Sequence, residues 1–310
     1  TSDGAGPDMT GAASKNGRWL GYAEAVAAAC LWGSSGIFAV HLFRLGVPPE
    51  SVAILRPVVG TLVLLLAFGI SRPAALRVDL RGFLVLGVGG GVAVGVFQLA
   101  YQLSTATVGV PTTVALLYLA PAVVIAASGP LLGEWPTRAR VGLVGVTLVG
   151  VWLSVSGARA IPSEFGPAGL VWGVLAGLSY ATYTLFGRFA APRYGPTATV
   201  TYSTLGACVV LFFALPQFGA DVVLPASPKA WGILVAFGVL TIALAQFLFF
   251  DALGRIEASR ASLATAIEPV VAALLATLLL SQGLNPLGWA GIALVVAGVV
   301  GVGLSAPDSD

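Results

Sequence analysis

The sequence predicts an all-α integral membrane protein with ten transmembrane helices, arranged as two inverted five-helix repeats. The first observation is composition: of 310 residues, 57% are hydrophobic and 9% are charged, and the mean hydropathy is +0.96. Such a chain is far too apolar for an ordinary soluble domain. The second is a series of ten apolar stretches, and the third is a duplication at a constant spacing of 148 residues.

The first half of the chain contains five of the predicted spans. Each is an apolar stretch close to the roughly 20 residues that a membrane helix needs, bounded by charged or Gly/Pro-containing breaks. They lie at 20–41, 51–70, 82–103, 108–132 and 139–157. The third span is rich in glycine, which lowers helix propensity. Its Gly87, Gly91 and Gly95 share one face at four-residue spacing, so we expect a flat surface for close helix contact.

The second half repeats this pattern, with spans at 167–189, 197–217, 230–251, 258–280 and 286–305. Without a gap, the 148-residue offset matches Gln98 with Gln246, Pro121 with Pro269, Phe38 with Phe186, Pro48 with Pro196, Leu86 with Leu234, Gly90 with Gly238 and Gly150 with Gly298. Matched prolines and glycines mark places where a helix bends or lets another backbone approach. The predicted organisation is a tail (1–18), a first repeat (19–157), a linker (158–166), a second repeat (167–305) and a tail (306–310).

The positive charges predict the orientation, because Lys and Arg are retained on the cytoplasmic side of a membrane. Eleven of the fifteen lie on one side of the predicted spans: Lys15, Arg18, Arg72, Arg77, Arg81, Arg138, Arg140, Arg188, Arg193, Arg255 and Arg260. The opposite side has Arg44, Arg159 and Lys229, and Arg56 lies within a span. Both termini are therefore predicted to be cytoplasmic and the linker extracytoplasmic. Since each repeat has five spans, the second is inverted relative to the first, as in many transporters.

Composition also argues against several function classes. One His and two Cys are too few for an ordinary zinc or haem site, and Cys30 and Cys208 are expected to be packing residues. No cofactor or metal is expected. Basic residues in short interhelical clusters give no nucleic-acid surface, and without a Walker motif the chain itself does not hydrolyse ATP. A membrane-embedded enzyme using Glu268 or Asp251 remains a distant alternative; a passive channel lacks rings of pore-lining charge.

Several motifs near the span ends resemble those of one transporter family. They are Leu31-Trp32-Gly33, Leu55-Arg56-Pro57, Ala120-Pro121 followed by Gly133-Glu134, and Ile267-Glu268-Pro269-Val270 followed by Gln282. Over about residues 19 to 305 the chain resembles the EamA family of the drug/metabolite transporter superfamily. The resemblance implies a ten-helix secondary transporter of the bacterial cytoplasmic membrane, with a central cavity between the halves, that usually exports small metabolites or amino acids. Gln282 departs from the family, which often has an acidic residue there, as Glu134 is in the first repeat.

Two charged residues within predicted spans are the leading site candidates, since intramembrane charge costs about 2.5–3.5 kcal/mol at a helix centre. In the functional interpretation, Arg56 holds a substrate carboxylate, and Glu268 holds a substrate ammonium group or a transported proton. In the structural interpretation, Arg56 pairs with Glu268 or backbone carbonyls, or extends to the membrane interface. Glu24 and Asp251 lie nearer span ends, where we expect them to reach water.

Uncharged polar and aromatic residues within the spans complete the candidate set, with packing as the alternative for each. They are Trp32, Gln98, Tyr101, Tyr118, Tyr180 and Gln246. Gln98 and Gln246 are repeat equivalents, and so are Trp32 and Tyr180. The expected partners are a small-molecule substrate, the lipid bilayer and protons; the sequence makes no prediction of oligomeric state. Import, proton-independent exchange and export of lipophilic cations would leave the same sequence pattern as amino-acid export.

Overall fold

A computed structural model describes residues 15–120, 122–124, 126–127, 137–158, 167–253, 255–256 and 264–304. Pro121, Glu134, the linker residues 159–166, Arg260 and both tails beyond these ranges lie outside the described residues. The helices are α1 (Lys15–Gly33), α2 (Ser35–Arg44), α3 (Pro49–Ser71), α4 (Leu80–Leu84), α5 (Gly91–Val108), α6 (Val110–Leu117), α7 (Arg138–Gly157), α8 (Ala168–Tyr194), α9 (Pro196–Ala214), α10 (Pro228–Gly238), α11 (Ala245–Leu253), α12 (Glu268–Leu280) and α13 (Pro286–Leu304).

The described chain is almost entirely helical and confirms the predicted all-α membrane class. Seven helical stretches are long and apolar enough to cross a membrane, and three shorter apolar helices begin at Val110, Glu268 and Pro286. These ten stretches correspond one for one to the predicted spans. Two of them contain a π-helical segment, Val85–Gly90 between α4 and α5 and Val239–Leu244 between α10 and α11. A π-helical segment in a transmembrane helix often accompanies a functional site.

Both repeats interrupt a helix at the same place, just before the matched prolines. A turn at Tyr118–Leu119 follows α6, and a turn at Ala266–Ile267 precedes α12, 148 residues further on. The predicted continuous span 258–280 was therefore wrong about Glu268: this residue is not in mid-helix but begins α12, with Pro269 in the first helical turn. Proline is well tolerated there, because the N–H that it lacks has no helical partner.

Glycine contacts show the repeat symmetry in three dimensions. A Cβ at Gly21 would lie 2.9 Å from Arg255 Cβ and 3.0 Å from Ile256 Cγ2, and a Cβ at its equivalent Gly169 would collide with Thr107 and Val108, the equivalents of those two residues. Of the three glycines predicted to form a close-packing face, Gly91 does so against α9. A Cβ at Gly95 would make only ordinary contact, 3.5 Å from Val210 Cγ1, and nothing lies within 4 Å of a Cβ at Gly87. A Cβ at Gly91 would lie 2.8 Å from Gly206 Cα, and one at Gly206 would overlap the Gly87 carbonyl.

The two ends of the bundle can be named by glycines with positive φ. Gly109 (φ 84°) joins α5 to α6, and Gly195 (φ 82°) joins α8 to α9. At the Gly109 end a buried apolar cluster, here called the apolar seal, joins α2 and α3 to α10. It consists of Ala39, Leu42, Val47, Val52, Ala230, Leu234 and Phe237, with Phe38 and Phe43 packed against it. Charge distribution predicts that the Gly195 end is cytoplasmic.

Candidate functional site

A cavity of about 320 Å³ lies between the two repeats. Seven of the eight candidate residues line it, namely Trp32, Arg56, Gln98, Tyr101, Tyr180, Gln246 and Glu268. The lining continues along α8 and α9 through Gly187, Ala191 and Pro196, so the cavity reaches towards the Gly195 end. The eighth candidate, Tyr118, is not among the lining residues but packs against two apolar clusters that include Val114 and Leu116.

Arg56 is buried in the wall of the cavity, with 6% of its surface exposed, and does not extend to the membrane interface. Its Nε and Nη2 donate to Thr241 Oγ1 at 3.2 and 2.9 Å, and its Nη1 donates to Gln98 Oε1 at 3.3 Å. An arginine has five N–H donors. Among the described residues, the remaining two, one on each terminal nitrogen, have no partner. These are the donors that a bidentate carboxylate needs.

Thr241 and Phe237, which the sequence analysis missed, fix the orientation of this guanidinium. The Thr241 hydroxyl donates to the Phe237 carbonyl at 2.7 Å, so its oxygen is free to accept from Arg56. The Phe237 ring lies with its centroid 4.4 Å from Arg56 Cζ, a cation–π geometry. A threonine in a membrane helix usually bonds only to its own backbone. Sequence alone therefore gave no reason to single out Thr241.

Close approach of α3 and α10 makes these contacts possible. A Cβ at Gly238 would lie 2.7 Å from Val59 Cβ and 3.0 Å from the Arg56 carbonyl oxygen. The repeat equivalent of Gly238 is Gly90, against which Ser203 of α9 packs. Glycine is thus required at both positions because each brings two helix axes together. Arg56 has no charged counterpart, since position 204 in the second repeat is Thr.

Glu268 presents a carboxylate to the cavity, and no other described residue of the lining is acidic. Within the described residues it makes no hydrogen bond or ion pair, so the predicted pairing with Arg56 is not observed. Its position in the first turn of α12 places it where the helix dipole favours an anion. The Leu31-Trp32-Gly33 motif packs here, because a Cβ at Gly33 would lie 2.9 Å from the Glu268 carbonyl oxygen.

Aromatic rings from both repeats form two groups in the lining. Trp32 packs on Phe249 with ring centroids 5.3 Å apart, and Phe97 packs on Tyr101 at 5.8 Å and on Tyr180 at 5.7 Å. Tyr180 and Tyr101 are the repeat equivalents of Trp32 and Phe249. The rings supply flat, electron-rich faces that suit a cation or a planar group. Gln246 also lines the cavity and is half-buried.

Glu24 and Asp251 are engaged in an ion-pair cluster away from the cavity lining. Arg255 Nε lies 3.0 Å from Glu24 Oε2, and Arg255 Nη2 lies 2.6 Å from Asp251 Oδ2. Glu24 is only 9% exposed, so the expectation that it simply reaches water was wrong. The cluster ties the α1 helix to the end of α11.

Comparisons with known proteins agree with this architecture. A sequence model described as the EamA-like transporter family matches residues 19–156 and again 167–304. The transporter YwfM of Bacillus subtilis is 26% identical over 274 residues, covering 88% of this chain and 90% of YwfM. The threonine/homoserine exporter RhtA of Escherichia coli is 28% identical over 282 residues, covering 89% and 88%. One crystal structure superposes with a TM-score of 0.64 at 22% identity, covering 92% of this chain and 96% of the other.

Proposed function

Since this chain belongs to the EamA-like transporter family, whose members are membrane transporters and not enzymes, we propose that it exports an amino acid or closely related zwitterion. It is a multi-pass membrane protein that moves a small solute. Beyond family membership, we infer the class of substrate, the direction of transport and the membrane in which the protein lies. The membrane is the bacterial cytoplasmic membrane, with both termini on the cytoplasmic side, as the distribution of Lys and Arg predicts.

One observation carries the substrate class: a cation and a carboxylate face the same cavity and are not bonded to each other. Arg56 offers two N–H groups to an incoming carboxylate, while Glu268 offers an acceptor to an incoming ammonium group. A zwitterion satisfies both and leaves no buried charge without a partner, which favours binding inside a membrane protein. The aromatic rings that line the same cavity add a cation–π surface for the ammonium end.

The relative RhtA is described as a threonine/homoserine exporter, so threonine and homoserine are the first substrates to test. Hydroxyl groups line the cavity beyond the charged pair, on Thr184, Thr199 and Thr204. All three donate to the backbone carbonyl four residues earlier, that of Tyr180, Gly195 and Val200 respectively. Each retains lone pairs that can accept from a substrate hydroxyl.

The shape of the cavity fits the loading step of an exporter. It reaches the Gly195 end, which is predicted to be cytoplasmic, while the apolar seal fills the Gly109 end. Alternating access would then require the two halves to rock around Arg56 and Glu268 until the seal opens. Glu268 is the proposed proton carrier. Its carboxylate has no partner among the residues that the structure describes, so it can be neutralised in one conformation and ionised in the other.

A thermal-shift screen of the purified protein tests the substrate class, because a ligand that binds only the folded state stabilises it by about 2.7 kcal/mol at 100 times its Kd. Threonine and homoserine should raise the melting temperature. Their decarboxylated amines and their methyl esters should raise it less. The stabilisation should be lost in Arg56→Gln and only reduced in Glu268→Gln, whose neutral amide oxygen can still accept from the ammonium group.

Two other outcomes would redirect the proposal. Stabilisation by lipophilic cations alone, dependent on Glu268 but independent of Arg56, would indicate a multidrug exporter that uses the aromatic lining. Stabilisation by amino acids together with net uptake in vesicles of known orientation would indicate an importer. A response to amino acids that is identical in wild type and Arg56→Gln would rule out Arg56 as the carboxylate site.

A further inference from the structure

We propose that the face of α5 formed by Gln98, Gln102 and Thr105 lines the route by which a polar substrate leaves the cavity towards the Gly109 end. This inference rests on the proposed transport of a zwitterion and adds a second polar site to it. In the structure the route is closed, and Gln102 is the residue that shows where it lies.

Helical geometry places the three residues on one face of α5. They follow one another at spacings of four and three residues, so each lies one helical turn beyond the last. Gln98 is part of the cavity lining and accepts from Arg56. Gln102 and Thr105 continue the same face away from the cavity, towards Gly109. All three are buried, with exposures of 4%, 0% and 1%.

The Gln102 side chain has no hydrogen-bond partner at either of its amide atoms, Nε2 or Oε1, among the described residues. A buried amide without partners carries the full cost of its desolvation. Thr105 Oγ1, the next polar group on the same face, likewise has no hydrogen-bond partner among the described residues. Off this face, Ser104 pairs with Thr113 at 2.8 Å, and Thr107 donates to the Leu103 carbonyl at 2.7 Å. The unpartnered groups in this half of α5 therefore belong to the face that continues from Gln98.

The scaffold does not require an amide here. The second repeat has a glutamine, Gln246, at the position equivalent to Gln98. It has Phe250 and Leu253 at the positions equivalent to Gln102 and Thr105. The second repeat therefore carries apolar residue types at the equivalent sequence positions. An amide that destabilises the closed arrangement has a physical role if the other conformation hydrates it or bonds it to substrate. By destabilising the closed state, such an amide reduces the free-energy difference between the closed and the outward-open state.

The neighbouring residues identify what must move. Because α3 runs antiparallel to α5, the contact between Arg56 and Gln98 places the first turns of α3 beside the turn that contains Gln102. Val52 and Ala53 in those turns are fully buried, and Val52 belongs to the apolar seal. Separation of α3 from α5 would open a passage with the apolar seal on one wall and the Gln98–Thr105 face on the other.

Cysteine accessibility tests the route directly. In a chain carrying Cys30→Ala and Cys208→Ser, Gln102→Cys is exposed to a membrane-impermeant maleimide applied to the extracytoplasmic side of intact cells. The matched control is Leu99→Cys, one turn away on the same helix but packed beside Ile54 and Leu211. We expect Gln102→Cys to be modified about tenfold faster than Leu99→Cys, since only the former faces the passage that the outward-open state exposes.

A second variant gives an independent readout. Gln102→Met keeps the length of the side chain and removes the unpartnered amide, so it should raise the melting temperature and lower the rate of threonine efflux about tenfold, by stabilising the closed state. Unchanged efflux with a raised melting temperature would mean that Gln102 is a packing residue only, and the route would be rejected.

The labelling and the transport assays separate the two levels of the proposal. If threonine is transported but Gln102→Cys is modified no faster than Leu99→Cys, the route is wrong and the carrier function stands. If Gln102→Cys is modified from outside and no amino acid binds, the route stands and the zwitterion substrate is wrong.

Discussion

Gly150 of α7 packs closely against α13, and its repeat equivalent, Gly298 of α13, packs closely against α7. A Cβ at Gly150 would lie 2.8 Å from the Gly291 carbonyl oxygen and 2.7 Å from the Val295 nitrogen. A Cβ at Gly298 would lie 2.9 Å from the Leu143 carbonyl oxygen and would collide with Thr147, and these two residues are the repeat equivalents of Gly291 and Val295. A twofold relation between the halves requires that each contact across this interface recurs between the equivalent residues.

Replacement of Gly150 with leucine should therefore destabilise the bundle, because the new side chain meets backbone atoms that cannot rotate away. We expect a loss of about 3 kcal/mol in the free energy of unfolding, the upper end of the overpacking range. Gly145→Leu on the same helix is the matched control, since nothing lies within 4 Å of its Cβ position. Equal melting temperatures for the two purified variants would contradict the close α7–α13 contact.

Thr241→Val should weaken binding of carboxylate substrates. Valine has the shape of threonine but cannot accept the two hydrogen bonds from Arg56. Bonds to a charged donor contribute about 1.5–3 kcal/mol, so a KM increase of at least about tenfold is expected for threonine. Thr147→Val is the control, because Thr147 is also buried, its hydroxyl donates to the Leu143 carbonyl, and it is not among the residues that line the cavity. A similar KM increase in both variants would indicate general disturbance of the cavity.

Glu268→Gln should abolish uphill export and preserve exchange. The amide keeps the size of the side chain but cannot bind and release a proton at physiological pH. Efflux against a gradient from energised vesicles and counterflow of labelled threonine measure the two activities separately. If uphill export continues at the wild-type rate, Glu268 is not the proton carrier. Loss of both activities, with binding also lost, would instead assign Glu268 to the substrate ammonium group.

Gln282 accepts a hydrogen bond from the Val110 backbone N–H at 2.9 Å and so satisfies the first residue of α6. The first N–H groups of a helix have no helical partner. Gln282→Leu should therefore lower the free energy of unfolding by about 1 kcal/mol. Gln282→Glu should be tolerated, because a carboxylate accepts the same bond and suits a helix N-terminus. Melting temperatures of the two variants in the same detergent provide the comparison; identical losses would show that the bond contributes nothing.

The predicted orientation can be measured by labelling exposed loops. Ala75→Cys lies between α3 and α4 near Arg72 and Arg77, and Leu45→Cys lies between α2 and α3 at the Gly109 end. With Cys30 and Cys208 replaced, an impermeant maleimide added to intact cells should modify Leu45→Cys and leave Ala75→Cys unmodified until the membrane is permeabilised. The reverse labelling pattern would show that the protein has the opposite orientation in the membrane. The cavity would then open to the extracytoplasmic side, as expected for the loading state of an importer.

The fold was accessible from sequence because a membrane reduces the structural choices to apolar helices of defined length. Hydropathy located all ten stretches, and the matched Pro121 and Pro269 predicted a bend in each repeat, but not that a new helix begins at Glu268. Interruptions inside the membrane-spanning stretches could not be predicted in the same way. The break at Ser34 between α1 and α2 and the two π-helical segments depend on packing and produce no distinct composition.

Part of the candidate site was predictable because a membrane makes polar side chains within a span costly. Charge and amides within a span are costly, so Arg56, Glu268, Gln98 and Gln246 stood out, and the structure places them in one cavity. Their role as substrate contacts remains a prediction. Thr241 and Phe237 did not stand out, because a membrane threonine and a buried phenylalanine are common, and only the crossing of α3 with α10 brings them to Arg56.

By itself, the sequence determined the membrane class, the number of spans, the duplication and the family resemblance, because each depends on local hydrophobicity or on residue spacing along the chain. Only the tertiary structure decided that Arg56 is held by Thr241 instead of Glu268 and that the cavity reaches towards the Gly195 end. It also decided that Gln102 is buried with no hydrogen-bond partner in the part of the chain that the structure describes. Those properties arise from contacts between residues far apart in sequence, such as the 185 positions that separate Arg56 from Thr241. The burial and pairing of a polar group depend on which helix faces it, and the spacing of residues along one chain does not encode that choice.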